Sequence, residues 1–161
     1  MDDELDRVAE ELGRQLLARG LSLATAESCT GGWVAKVLTD IPGSSGWFEC
    51  GFVTYSNRAK QKMLGVRGAT LDRHGAVSEQ TVLEMVAGAL DHSHADLAVS
   101  ISGVAGPGGG TPDKPVGTVW FGWGRRDDAA RARRVHFEGD REAVRWQAVR
   151  VALQGILEYL D

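Results

Sequence analysis

Leu5, Val8, Leu12 and Leu16 recur every three or four residues with charged residues between them, a period that predicts an amphipathic helix over residues 3–19, ended by Gly20. Leu21–Ala26 is a short apolar run that reads as a strand, and Thr30 is placed to cap a helix running to Asp40. Pro42 and the glycines around it break the chain. Trp47–Tyr55, rich in aromatic and β-branched residues, predicts a second strand, after which Ser56 or Asn57 caps a short helix through Met63. Ser78, with Glu79 and Gln80 behind it, opens a helix whose apolar positions are Val82, Met85, Val86 and Ala89 and which ends near His92. Asp96–Ser102 predicts a buried strand, Val116–Trp123 another and Arg131–Phe137 a third. The last helix spans about Asp140 to Leu160, apolar at Val144, Ala148, Val151, Leu153 and Leu157. Helices and strands that interleave without linker or repeat predict one layered α/β domain over residues 1–161, an α/β/α sandwich. Three strands crowded together after residue 96 leave room for hairpins, so the sheet is expected to be mixed but mostly parallel.

Composition narrows the setting more than the chemistry. A chain of 161 residues, 43% hydrophobic and 25% charged, is ordinary for a soluble globular domain with its own core. Its net charge of −4 gives no overall electrostatic reason to bind nucleic acid or an anionic membrane. The acidic start Met1-Asp-Asp-Glu lacks the apolar run of a signal peptide, and no segment approaches the roughly 18 uninterrupted apolar residues of a membrane span. Cys29 and Cys50 are too few for a disulfide scaffold, so a reduced, cytoplasmic setting is expected. Five tryptophans in so small a domain raise the expectation of an aromatic self-association surface and a homo-oligomer, a dimer foremost.

Several chemistries lack their residues. No Gly-Lys dipeptide is present, hence no Walker A loop, and there is no Gly-x-Gly-x-x-Gly. Gly43-Ser-Ser-Gly46 is one residue short of a Gly-x-Ser-x-Gly elbow. The histidines are His74, His92, His94 and His136; His92 and His94 sit near the end of a polar helix, neither with a cysteine or acidic cluster at ligand spacing, so neither a metal nor a cofactor is expected.

What remains is hydroxyls, a phenol and an amine between Thr25 and Lys60, above all Ser45, Tyr55 and Lys60. A serine beside a neutral lysine can open an acyl bond without histidine or metal. Lys60 falls in the first turn of its helix, where the helix dipole and the flanking Arg58 and Lys62 disfavour its charge. Neutrality near pH 7.5 requires lowering an ordinary lysine pKa by about 3, or roughly 4 kcal/mol, most of it from burial. The alternative is a lysine that simply reaches outward. Ser45 in its Gly-Ser-Ser-Gly turn is either a turn former or a nucleophile approached closely by a ligand, and Tyr55 is either a strand aromatic or a proton relay.

Two loops are placed to hold a ligand. Thr25–Gly32 runs from strand to helix with free N–H groups for an anion or oxyanion, and includes Cys29, an alternative nucleophile if the helix N-terminus activates its thiolate. Ser100–Pro115 is dense in glycine and proline, with Ser102–Gly106 the better candidate and Gly108–Lys114 a flexible tip. Arg141 and Arg145 share one face at the start of the last helix and suit a phosphate.

Seven segments together resemble the C-terminal domain family of the CinA competence/damage-inducible proteins in its stand-alone form: Thr25-Ala-Glu-Ser-Cys-Thr-Gly-Gly, Gly43-Ser-Ser, Gly51-Phe-Val-Thr-Tyr-Ser-Asn, His74-Gly-Ala-Val-Ser, Ser100-Ile-Ser-Gly-Val-Ala-Gly-Pro, Lys114-Pro-Val-Gly-Thr-Val and Phe137-Glu-Gly-Asp-Arg. The resemblance implies a metal-independent amidase of pyridine-nucleotide salvage that hydrolyses nicotinamide mononucleotide to nicotinate mononucleotide and ammonia. It implies Ser45, Tyr55 and Lys60 as catalytic residues, with Ser45 the nucleophile. It places substrate contacts on Ser28, Thr30, Gly31 and Gly32, on Ser102, Gly103 and Gly106, and on Arg141 or Arg145, with Arg141 favoured for the phosphate. Where this chain has Ser102 the family often has threonine; the hydroxyl is retained. The nucleotide-pyrophosphatase-like domain of longer members has no counterpart here, so that activity is not expected. A non-catalytic nucleotide-sensing or partner-binding module would use the same cleft, bind the nucleotide and leave it intact.

Overall fold

Side chains at the helix starts explain much of the element pattern. In the computed structural model, which describes residues 2–161, the helix α1 (Asp3–Arg19) begins behind Asp2, whose Oδ1 accepts from the N–H groups of Glu4 and Leu5. Met1, the first residue of the acidic start, lies outside the described residues. After α1 come β1 (Leu23–Glu27), α2 (Trp33–Thr39), a single 3-10 turn (Ser44–Gly46), β2 (Phe48–Val53) and α3 (Asn57–Leu64). Then follow α4 (Gly68–His74), α5 (Glu79–Asp91), β3 (Leu97–Gly103), β4 (Thr118–Arg125), β5 (Arg131–His136) and α6 (Arg141–Leu160). Ser56 caps α3 through Ala59 N–H, Ser78 caps α5 through Thr81 N–H, and Asp140 caps α6 through Ala143 N–H. The short helix α4 was not foreseen; it has no side-chain cap and only Thr70 and Leu71 buried, so its sequence carries little periodic signal.

The strands lie in the order β2-β1-β3-β4-β5. β1 pairs in parallel with β2 and with β3, whereas β3–β4 and β4–β5 are antiparallel. Four strands therefore point one way and β4 alone runs against them: the expected mixed sheet. One face packs on α2 and α6, with α1 lying against both helices; the other packs on α5, which carries α3 and α4. The first core includes Leu12, Leu38, Phe121, Ala148 and Ile156, the second Leu64, Val82, Met85, Val86 and Ala98. A Cβ at Gly88 would fall 1.9 Å from the Leu64 carbonyl oxygen, so only glycine lets α5 press against the end of α3. That contact seats the helix that carries Lys60.

From β1 the chain crosses to β2 on one side, and from β2 it crosses back to β3 on the other side of β1. The carboxyl ends of β1 and β3 thus flank a crevice from which the connections diverge, the place where α/β sheets bind ligands. Of the five tryptophans, Trp47 and Trp123 are buried and Trp33, Trp120 and Trp146 are half-buried. Trp123 Nε1 donates to the Ala152 carbonyl, and the guanidinium groups of Arg145 and Arg150 lie over the rings of Trp33 and Trp146. Among the described residues no helix is long and apolar enough to cross a membrane.

Candidate active site

The crevice holds a cavity of about 220 Å³ lined by Ser28 and Cys29 after β1, Tyr55, Asn57 and Lys60 after β2, Ala76 and Val77 before α5, Ser102, Gly103 and Ala105 at the end of β3, and Arg141 at the start of α6. Five separate segments of chain converge here, three of them because three parallel strands end at the same edge.

Lys60 is its chemical centre. Its side chain runs back past Ser56 into the protein and is 1% exposed, while Arg58 and Lys62 beside it stay in solvent. Nζ lies 3.0 Å from Ser28 Oγ, and donates to the Thr54 carbonyl at 3.0 Å and the Tyr55 carbonyl at 3.3 Å. No carboxylate is among these partners. Burial without a counter-ion is the largest cause that holds the Lys60 amine below the ordinary lysine range. Two carbonyls and one hydroxyl are also the set that a neutral amine satisfies: two N–H donors for the carbonyls, and a lone pair for the hydroxyl proton of Ser28.

Ser28 is 7% exposed and opens the turn from β1 into α2. Its N–H donates to the Ile101 carbonyl at 2.9 Å, which ties the turn to β3. Thr30 does not cap α2. The N-cap is Gly32, at φ +100°, a conformation open to glycine and strained for other residues. The capping groups come from elsewhere: Glu27, fully buried at the end of β1, accepts from Val34 N–H (2.9 Å), Ala35 N–H (3.0 Å) and the Thr30 hydroxyl (2.6 Å). The N–H groups of Cys29 and Thr30 donate to no oxygen of the chain and remain available at the turn.

Ser45 is elsewhere. It sits exposed on the 3-10 turn before β2, whereas Lys60 and Tyr55 follow the other end of that strand. Six residues of strand at roughly 3.3 Å each put about 20 Å between the two ends. The neighbours of the turn belong to the amino edge of the sheet: a Cβ at Gly46 would meet Leu17, and the carbonyl of Trp47 accepts from Leu23 N–H at the start of β1. The chain does not bring Ser45 to the amine; it brings Ser28. The spacing from Ser45 to Lys60 counts straight through β2 and so spans the sheet from edge to edge.

Tyr55 stands at the cavity mouth, 60% exposed. Its hydroxyl accepts from Arg141 at 3.0 Å, and Arg141 also donates to the Gly106 carbonyl at 2.7 Å. The phenol is bonded to Arg141, not to Ser45 or to the Lys60 amine. Arg145 points away from the cavity and donates to the carbonyls of Cys29 (3.0 Å) and Thr30 (3.2 Å), its guanidinium 5.6 Å above the Trp33 ring. It holds the turn and does not line the cavity. Thr30, Gly31, Gly32 and Gly106 shape the walls without lining the cavity, while Ser102, 2% exposed, lines it directly. The Cys29 thiol is pushed up to about 11, chiefly by burial, which is the reverse of an activated thiolate. The segment Gly108–Lys114 is not a loose tip: Lys114 Nζ donates to the His74 carbonyl, Lys114 N–H to the Thr111 hydroxyl, and Arg134 to the Asp113 carbonyl. Glu27, Ala76 and Val77 were missed as site-forming residues. An acid ending an otherwise apolar strand just before a glycine turn was the available signal for Glu27; the apolar wall residues left none.

The profile of the CinA C-terminal domain matches residues 5–160. A nicotinamide-nucleotide amidohydrolase, PncC of Escherichia coli strain K12, is 61% identical over 153 residues, covering 95% of this chain and 93% of that protein. The protein of the same name from Pseudomonas putida is 51% identical over 158 residues, 97% of each chain. Among solved structures, the competence/damage inducible protein CihA from Agrobacterium tumefaciens superposes with a TM-score of 0.95 at 42% identity, over 99% of this chain and 97% of that one.

Proposed function

The chain belongs to the CinA C-terminal domain family, and from that premise we propose that it is a nicotinamide-nucleotide amidase, hydrolysing the carboxamide of nicotinamide mononucleotide to nicotinate mononucleotide and ammonia within a single amidohydrolase domain. The observation that carries this reading is the buried, carboxylate-free amine of Lys60, 3.0 Å from Ser28 Oγ in an accessible cavity.

Ser28 is the nucleophile and Lys60 its base. The neutral amine takes the hydroxyl proton as Oγ bonds to the carboxamide carbon, and the carbonyl π pair moves onto oxygen. The N–H group of Cys29, a residue that lines the cavity, receives the oxyanion. Collapse breaks the C–N bond; the Lys60 ammonium returns its proton to the departing nitrogen, ammonia leaves, and a nicotinoyl ester remains on Ser28. Water then attacks the ester, Lys60 taking its proton and passing it back to Oγ. Arg141 at the mouth supplies the cation for the 5′-phosphate, oriented by its bonds to Tyr55 and Gly106. The substrate is a small molecule, and a homodimer in the cytoplasm is part of this proposal.

The test is release of ammonia from nicotinamide mononucleotide by purified protein in the presence of a chelator. Turnover that persists with the chelator is expected. Stoichiometric binding with the nucleotide intact after hours would replace the enzyme by a sensor, and activity abolished by chelation would replace the Ser–Lys mechanism.

A further inference from the structure

We propose that Glu27 and Arg145 are positioning residues of this reaction, gripping the Ser28–Gly32 turn so that Ser28 Oγ meets Lys60 while Cys29, whose N–H has no oxygen partner in the chain, lines the cavity beside it; the inference rests on the amidase reading above.

Peptide groups have two ends, and the turn is held by both kinds. Arg145 takes the carbonyls of Cys29 and Thr30, at 3.0 and 3.2 Å; the Thr30–Gly31 unit so held donates its N–H to the Ser28 carbonyl at 3.0 Å, and that carbonyl shares its peptide unit with the Cys29 N–H. Glu27 takes the Thr30 hydroxyl and the first N–H groups of α2, and so folds the turn back over the end of β1. With the carbonyl of Thr30 and its hydroxyl both engaged, that residue cannot rotate without breaking a charge-assisted bond.

Glu27 also acts through its backbone. Its carbonyl accepts Thr54 N–H at 2.8 Å, and the Thr54 carbonyl in turn accepts from Lys60 Nζ at 3.0 Å. One residue therefore fixes both the nucleophile's turn and an acceptor of the base. A fully buried carboxylate is a costly way to cap a helix of seven residues, for which a serine or threonine at the N-cap would serve. What a carboxylate adds is reach: two oxygens bridge a hydroxyl and two N–H groups seven and eight residues away.

Glu27→Gln keeps the shape but turns an amide NH₂ toward an N–H or the threonine hydroxyl. Arg145→Lys keeps the charge but loses the planar fork whose Nε and Nη2 reach the two carbonyls from separate nitrogens. Steady-state kinetics of both, taken where circular dichroism shows each variant folded, are expected to lose between about tenfold and a hundredfold in kcat, with KM within about threefold. A merely structural role lowers the melting temperature and leaves kcat of the folded protein alone. Wild-type kcat in both folded variants, or a raised KM with kcat kept, overturns the proposal. If Glu27→Gln does not fold, Arg145→Lys, at a half-buried side chain, carries the same test. Ser28→Ala run in parallel separates the two levels: full turnover there removes the amidase mechanism itself, whereas an inactive Ser28→Ala beside fully active Glu27→Gln and Arg145→Lys removes only the positioning.

Discussion

At the carboxyl edge of the sheet Ser28 lies 3.0 Å from a buried amine, with two idle N–H groups in the next residues and an arginine at the cavity mouth. At the amino edge Ser45 is exposed on a 3-10 turn, next to Leu17 and the buried Trp47, with no base beside it. Both serines follow or sit among glycine-bearing turns, and local composition does not tell them apart. What differs is which strand ends meet. At the carboxyl edge β1, β2 and β3 finish together, and the β1–β3 divergence opens a crevice; at the amino edge the turn that bears Ser45 meets Leu17 of α1. Reactivity here is a property of the convergence, not of the residue.

The sharpest way to break the contrast is to remove the base while keeping its charge. Lys60→Arg is expected to lose a hundredfold or more in kcat, because a guanidinium does not deprotonate in water. In the wild type the acid limb of the rate profile should rise as Lys60 loses its proton, below the ordinary lysine range, and that limb should vanish from the residual activity of the variant. A Lys60→Arg enzyme with normal turnover and an unchanged profile would make the amine structural.

Next in size is the mouth. Arg141→Ala is expected to raise KM for nicotinamide mononucleotide by roughly tenfold to a hundredfold, the worth of a charge-assisted contact, with a smaller change in kcat. For nicotinamide riboside, which has no phosphate, the change should be slight. An equal loss on both substrates would move Arg141 from phosphate binding to support of Tyr55.

The smallest effect concerns stability. Since the folded state lowers the Lys60 pKa, the unfolded chain binds more protons between that lowered value and about 10.4, and the lysine's contribution to stability rises with pH across this window. Below it the buried ammonium is a burden. Lys60→Met should therefore stabilise the protein in urea unfolding, by more at pH 6 than at pH 9. A pH-independent difference would mean that the amine is not buried as an uncompensated charge.

Much of the architecture was legible because it is written locally. The period of Leu5, Leu12 and Leu16, the caps at Ser56, Ser78 and Asp140, and the apolar run of β3 need no tertiary information. Tyr55, Lys60, Ser102 and Arg141 were also singled out, and the fold gathers them around one cavity. What failed depended on the third dimension. Ser45 and Lys60 are close in sequence yet separated by the length of a strand, while Ser28, 32 residues before Lys60, is its partner. Thr30 has the composition of a cap, but a carboxylate from the preceding strand outcompetes it. Arg145 resembles a phosphate ligand by its place at a helix start, and tertiary packing commits it to two carbonyls.

The two serines themselves give the most direct measurement. Ammonia release from nicotinamide mononucleotide is followed for Ser28→Ala and Ser45→Ala side by side, at saturating substrate and equal enzyme. The account predicts a loss on the order of a thousandfold or more for Ser28→Ala and turnover within about twofold of wild type for Ser45→Ala, as expected when one removes the attacking oxygen and the other an exposed turn residue. Full activity in Ser28→Ala with activity lost in Ser45→Ala would contradict it and move the chemistry to the other edge of the sheet.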